Sequence, residues 1–296
     1  MNRRSFLTST GAIAAGIGLG GLDGSRLLAT ELAGGAPNAA KLGWRLGCQT
    51  WSFRHLTFYD AIDNTASLGL HYLEAVPGQK LSKDRPGVTI GDELSADVRK
   101  AIKQKLADSG VKLVNIFFAL PKDTGQCRKT FEFAKDMGVE TIVSEPDEAV
   151  MESLDKLCRE YDINVAIHNH PKPSHYWNPD AVLRVCEGRS KRIGACADTG
   201  HWPRGGLDTL ECLKRLKGRI IGFHFKDLDG LGPDSHDVPW GTGVCDLRGW
   251  LAEVHRQKIE AFFAIECENP WDGTLAKIAQ SIRFFDKIAA DLAAQS

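Results

Sequence analysis

Ile193-Gly194-Ala195-Cys196-Ala197-Asp198-Thr199-Gly200-His201-Trp202 opens as a short run of small and β-branched residues and closes on two chemistry-bearing side chains. The first five residues have the composition of a buried strand, and Gly200 opens a loop after it. Asp198 and His201 therefore stand at a strand's C-terminal tip, where Asp198 either caps the helix that follows or serves a site.

Outward from that stretch the chain repeats one pattern. An amphipathic segment closes on a turn residue and a short apolar run follows, as in Leu68-Gly69-Leu70-His71-Tyr72-Leu73-Glu74, Ser109-Gly110-Val111-Lys112-Leu113-Val114 and Met137-Gly138-Val139-Glu140-Thr141-Ile142-Val143. That order is helix, stop, parallel strand. Strands are expected at Arg45 to Ser52, His71 to Val76, Lys112 to Phe118, Thr141 to Glu145, Asn164 to His170, Ile193 to Asp198, Ile220 to Lys226 and Phe262 to Glu268. Eight such units predict an α/β fold of the single (β/α)8 barrel type, with a doubly wound open sheet as the alternative. Asn178-Pro179-Asp180 and Asp246 read as helix starts.

The chain has 296 residues, of which 43% are apolar and 25% charged, enough for one barrel of about 250 residues plus a leader. The net charge of −1 and the lack of a basic tract exclude a nucleic-acid partner and favour a small, neutral or weakly charged one. Residues 1–40 read as a leader and tether. Arg3-Arg4 precedes a Gly/Ala-rich segment from Gly11 to Leu22, the layout of an export signal, which resembles a twin-arginine leader. The segment is too short and glycine-rich to span a membrane, so the expected location is periplasmic, with no membrane anchor after cleavage. Residues 41–296 form the barrel. The eight cysteines contain no Cys-x-x-Cys pair; Cys48, Cys196 and Cys267 read as buried thiols in strands, with disulfides among the other five left open.

Strand parity places the functional side chains, because alternate residues face opposite sides. In Ile220 to Lys226 the bulky Ile221, Phe223 and Phe225 face the helices, leaving Gly222, His224 and Lys226 inside. The same rule turns His168 and His170 inward from Asn164 to His170, and Glu266 and Glu268 inward from Phe262 to Glu268. Asp198 shares a face with Gly194 and Cys196, while Glu145 and Glu74 end the fourth and second strands. So much charge in a barrel mouth must be neutralised or hydrogen-bonded. A divalent cation does this, and carboxylates with histidine suit Mn²⁺, Co²⁺, Mg²⁺ or Zn²⁺. A network of His–carboxylate pairs without a metal is the alternative.

His-x-His at strand five, Asp-x-x-His at strand six, His-x-Lys-Asp at strand seven and Glu at strand eight resemble the xylose-isomerase-like TIM barrels of the sugar isomerase/epimerase superfamily. Ala166-Ile167-His168-Asn169-His170, Asp198-Thr199-Gly200-His201, His224-Phe225-Lys226-Asp227 and Trp240-Gly241-Thr242-Gly243 are most similar to its inosose-dehydratase-type branch. The resemblance runs from about Trp44 to the C-terminus. Many members carry a metal-binding glutamate on strand five, where this chain has His168, so the resemblance implies Glu145, Asp198, His224 and Glu266 as ligands, with His168 able to replace Glu145.

The implied chemistry is a metal-dependent isomerase or epimerase acting on a keto-sugar or polyol through an enediolate. Glu266 or Glu145 is the candidate base, His170 and His201 are candidate acids, and Lys226 either assists the oxyanion or pairs with Asp227 or Glu268. Expelling a β-hydroxyl or β-glycoside instead would make the protein a dehydratase or lyase. Glu74, His168, Trp202 and Trp240 are candidates for substrate contact, the tryptophans with Trp51 and Trp177 as stacking surfaces for a sugar ring. A metal nuclease would need further ligands at strand three, which ends in Phe117-Phe118-Ala119. An exported, non-catalytic sugar-binding protein would need the aromatics but no metal. The composition leaves an oligomer open.

Overall fold

The computed structural model describes residues 34–269 and 273–295. Eight parallel strands close on themselves: β1 (Arg45–Gln49), β2 (Tyr72–Ala75), β5 (Lys112–Phe117), β6 (Thr141–Ser144), β7 (Asn164–His168), β8 (Ile193–Asp198), β9 (Ile220–Phe225) and β12 (Phe262–Ile265). The strand order is β1-β12-β9-β8-β7-β6-β5-β2, so the barrel is the single (β/α)8 fold and the open sheet is excluded. The expected leader, with Arg3 and Arg4, lies outside the described residues. No described helix is long and apolar enough to cross a membrane.

Helices cover the strands where the caps and apolar spacing place them. They are α1 (Pro37–Lys41), α2 (Phe58–Ser67), α3 (Ala96–Asp108), α4 (Thr124–Met137), α5 (Met151–Tyr161), α6 (Pro179–Cys186), α7 (His201–Arg204), α8 (Thr209–Arg215), α9 (Leu247–Arg256) and α10 (Thr274–Ala293). Asn178 accepts from the Ala181 N–H with Pro179 at the first helical position, and Asp246 accepts from the Gly249 N–H. Gly138 ends α4 at φ +76°, a left-handed conformation that a side chain would penalise.

Four differences from the sequence reading have physical reasons. Several strands end before their expected last residues, because the ladder stops where the loops diverge, and Thr50–Phe53 is a 3-10 turn. Two antiparallel ribbons interrupt the repeat: β3 (Lys80–Ser82) with β4 (Arg85–Thr89), and β10 (Asp227–Leu228) with β11 (Asp237–Val238). Packed structure also begins ahead of residue 41, since α1 is held against α10 by Asp286, whose carboxylate accepts from the Asn38 and Ala39 N–H groups at 2.7 and 2.9 Å. Finally, Ile221 does not face the helices. β9 carries one extra residue between the pairs Ala195–Ile220 and Cys196–Gly222, and that bulge turns Ile221 onto the cluster formed by Val143, Ala166 and Cys196.

After the bulge the parity holds. Phe223, Phe225, Phe263 and Ile265 join the large core between barrel and helices, while Val114, Phe262 and Ala264 form a separate cluster. The interior is thus apolar below and polar at the C-terminal rim, the end where such barrels carry their sites.

Candidate metal centre and active site

Four rim residues converge. His168 ends β7, Asp198 ends β8 beside His224 in β9, and Glu266 follows β12, whose Ala264 pairs with His224. Each offers one ligand atom, and the four atoms lie within 4.8 Å of one another.

Asp198 divides its two oxygens between two tasks. Oδ1 accepts from the Gly200 and His201 N–H groups at 2.9 and 2.8 Å, which is the capping role. Oδ2 faces the site, 2.7 Å from Lys226 Nζ and 3.3 Å from His168 Nε2. Burial alone would raise the Asp198 pKa, but His201, Lys226 and His168 outweigh it and hold the carboxyl well below the usual range.

His224 is oriented from behind. Its Nε2 lies 2.8 Å from Glu74 Oε1, and the same carboxylate accepts from Gln49 Nε2 at 2.7 Å and Asn115 Nδ2 at 3.1 Å. With the proton on Nε2, the Nδ1 lone pair points at Glu266 Oε2, 3.0 Å away. His224 Nδ1 is buried and faces Glu266 Oε2, whose other polar neighbour is Lys226 Nζ at 3.0 Å. A buried imidazole lone pair turned to a carboxylate in a ring of four donors fits a divalent cation, because a positive ion between them satisfies both.

Lys226 is buried, with Nζ 2.7 Å from Asp198 Oδ2, 3.0 Å from Glu266 Oε2 and 3.5 Å from Glu268 Oε2. Pairing with Asp227 does not occur, since that side chain accepts from the Leu228, Gly241, Gly243 and Cys245 N–H groups. His201 is kept neutral chiefly by burial, reinforced by positive charge at Lys226 and His168, and its Nε2 lies 3.3 Å from Glu268 Oε1.

Several expected roles change. Glu145 stands outside the four donors, because β6 ends at Ser144 and its side chain crosses to the loop after β7. There it pairs with His170, receives a 2.5 Å hydrogen bond from Ser174 and lies 3.4 Å from His168. Burial would raise its pKa; these hydrogen bonds more than reverse the shift and hold it far below the carboxylate range. His168 takes its place among the donors. Glu74 is fully buried and supports His224 instead of meeting a substrate.

Trp202 and Trp240 are 1% and 2% exposed core residues, and Trp240 packs on Phe225 and Phe285 at 5.0 and 5.6 Å, so neither offers a face to a sugar. Trp177 lies beneath the Lys172 ammonium, 4.0 Å from its ring centroid. Trp51 remains: 41% exposed, it lines a cavity of about 220 Å³ with Gln49, Phe117, His168, His170 and Glu266. Gln49 and Asn115 escaped the sequence reading, although both are polar residues within otherwise apolar strands. Arg204 escaped it too; it is buried at the end of α7, with Nη2 2.6 Å from Asp237 and a second contact to Glu268.

The family model described as xylose isomerase-like TIM barrel matches residues 62–288. A solved structure of a putative uncharacterized protein from Parabacteroides distasonis shares 32% identity, covers 83% of this chain and 99% of its own, and superimposes with a TM-score of 0.68. A xylose isomerase-like TIM barrel protein from Mycobacterium smegmatis, solved with magnesium, shares 12% identity over 84% of this chain and 97% of its own, with a TM-score of 0.67. The probable 3-DHS dehydratase AsbF from Bacillus anthracis shares 14% over 81% and 98%, with a TM-score of 0.64. No curated protein matches the chain.

Proposed function

Because the chain belongs to the xylose isomerase-like TIM barrel family, we propose that it is a divalent-metal-dependent isomerase or epimerase of a keto-sugar or related polyol. The observation that carries this reading is the ring of four donors, His168, Asp198, His224 and Glu266, with the buried His224 Nδ1 turned to Glu266 Oε2, beside an open cavity. His168, Asp198, His224 and Glu266 would hold the ion. The chemistry such an ion supplies when bound is Lewis-acid stabilisation of negative charge developing on a substrate carbonyl and its neighbouring hydroxyl.

The remaining work falls to the chain's own groups. Glu266 is the only carboxylate of the four donors that lines the cavity, and its side chain is 11% exposed. Burial opposes its ionisation, but Lys226 and His224 outweigh that effect and keep it ionised; its place at the cavity wall makes it the group to accept the α-proton. Lys226 balances the charge of Asp198 and Glu266 and so holds both side chains in place. Trp51 gives the ring a flat apolar surface. His170, at the cavity wall, and neutral His201 behind it are placed to hold or return a proton.

Elimination, giving a dehydratase or β-eliminating lyase of the inosose-dehydratase type, is the second reading. One observation favours it: beside the four donors stands a second group, His168, His170 and His201, of which His170 shares the cavity wall with Glu266. A carboxylate that takes a proton and a histidine that delivers one suit loss of a proton and of a leaving oxygen. We also propose export by the twin-arginine route, on the strength of Arg3-Arg4 ahead of the Gly/Ala-rich segment.

Metal analysis tests the core of the proposal. Asp198→Asn keeps an oxygen for the cap but weakens the ligand, and His224→Ala removes one. Both variants are expected to purify folded by circular dichroism and with their bound divalent metal largely lost. Full retention in both would place the ion elsewhere, and absence of metal from the wild type would favour a non-catalytic sugar-binding protein.

A further inference from the structure

Two cavities meet at Glu268. The one over the metal donors has about 220 Å³, less than the roughly 300–1,000 Å³ usual for a small-molecule site. The other has about 400 Å³, and His201, Arg204, Asp234, Ser235 and His236 stand in its wall with Glu268. Four of its nine lining residues, Pro233 to His236, come from the segment joining β10 to β11, an insertion that the eightfold repeat does not require.

Glu268 is fixed at the junction. Arg204 pairs with its Oε2, Lys226 Nζ stands 3.5 Å from the same atom, and Oε1 is 3.3 Å from His201 Nε2. The chemistry of the second cavity is that of a hydroxyl-rich, neutral ligand. Its guanidinium is already committed: Arg204 binds Asp237 at 2.6 Å, Glu268, and the Ser235 carbonyl at 3.2 Å. The His236 ring lies 3.5 Å from Asp229. Among the described residues of this wall the Arg204 guanidinium is committed and the His236 ring stands beside a carboxylate, whereas the Asp234 carboxylate repels a phosphate and accepts hydrogen bonds from sugar hydroxyls.

We infer that the second cavity is a subsite for a second sugar ring, so that the substrate is a neutral disaccharide or glycoside, its oxidised ring over the metal donors and Trp51 and its other ring between Arg204, Asp234 and His236. The inference rests on the proposed function for the first ring only. A monosaccharide leaves the larger cavity empty, and a sugar phosphate places its charge beside the Asp234 carboxylate.

Binding, measured without reference to turnover, tests it. Wild-type protein in magnesium buffer is titrated calorimetrically with glucosyl-glucose disaccharides bearing a ketone on one ring, in each linkage, and with the matching oxidised monosaccharide and its phosphate. At least one disaccharide is expected to bind about tenfold more tightly than the monosaccharide, and the phosphate no better than it. Asp234→Trp, an exposed substitution that fills the cavity, should bring the disaccharide to monosaccharide affinity and leave the monosaccharide unchanged; His236→Ala should weaken only the disaccharide. The subsite is overturned if no disaccharide exceeds the monosaccharide, if the phosphate binds best, or if both variants bind the disaccharide as wild type does. Failure of the protein to exchange an α-proton of any probe counts against the proposed chemistry and leaves this binding result standing.

Discussion

At the level of single residues, side-chain parity carries most of the site. Alternation alone sets His168, His224 and Asp198 on the inner face, because within a ladder the geometry of each residue follows from its neighbour, and Glu266 continues it one residue past β12. Parity ends with the ladder, and Glu145 and the tryptophans lie beyond it. Trp51 and Trp240 make that difference measurable. Trp240 is enclosed by Phe225 and Phe285, so Trp240→Ala is expected to cost about 3–5 kcal/mol of stability, seen as a large fall in Tm. Trp51→Ala should leave Tm within a few degrees while weakening sugar binding by up to about tenfold, as loss of a stacking face of about 0.5–1.5 kcal/mol implies. Equal stability losses in the two variants would show that Trp51 also serves the core. Asp198 could not be assigned from sequence to a cap or to a site, since one carboxylate does both.

Among the elements, helix starts were legible at Asn178-Pro179-Asp180 and at Asp246, where the side chain accepts from the N–H three residues on, while the start of α2 was not read. Thr57 and Asp60 form a reciprocal capping box at the start of α2. Burial pushes the Asp60 pKa up, but hydrogen bonds from Thr57 and the nearby Lys83 charge outweigh it and leave it lowered. A folded-state pKa below the unfolded one contributes stability that is complete above the ordinary carboxylate value of about 4 and is lost as pH falls through the folded value. Thr57→Ala is therefore expected to cost about 1 kcal/mol at pH 7, and less at pH 3, by denaturant midpoint. A deficit that grows on acidification would contradict this account of the cap. The two ribbons and the β9 bulge were not legible. The ribbons are short and mostly polar, like the loops that contain them, and a bulge adds one residue without changing composition. Ile221 was misplaced for that reason alone.

Over the whole molecule, the eightfold repeat gave the barrel because each unit carries the same helix, stop and strand pattern, and closure needs no other signal. All eight cysteines are free, and burial raises the thiols of Cys48, Cys158 and Cys212 to about 12. That is compatible with export of a folded chain. Replacing Arg3 and Arg4 with lysine should then leave an uncleaved precursor in the cytoplasm by fractionation; unchanged export would exclude a twin-arginine signal. The central claim is that Glu266 removes an α-proton beside a divalent cation. Exchange of the α-proton of an oxidised sugar in deuterated water, followed by NMR, measures that step directly. The wild type should exchange, lose exchange on chelation and regain it with Mn²⁺ or Mg²⁺, while Glu266→Gln should be slower by about 10²–10⁴-fold with metal still bound in part. Exchange that survives chelation, or a metal-loaded Glu266→Gln variant that exchanges at the wild-type rate, would contradict the account.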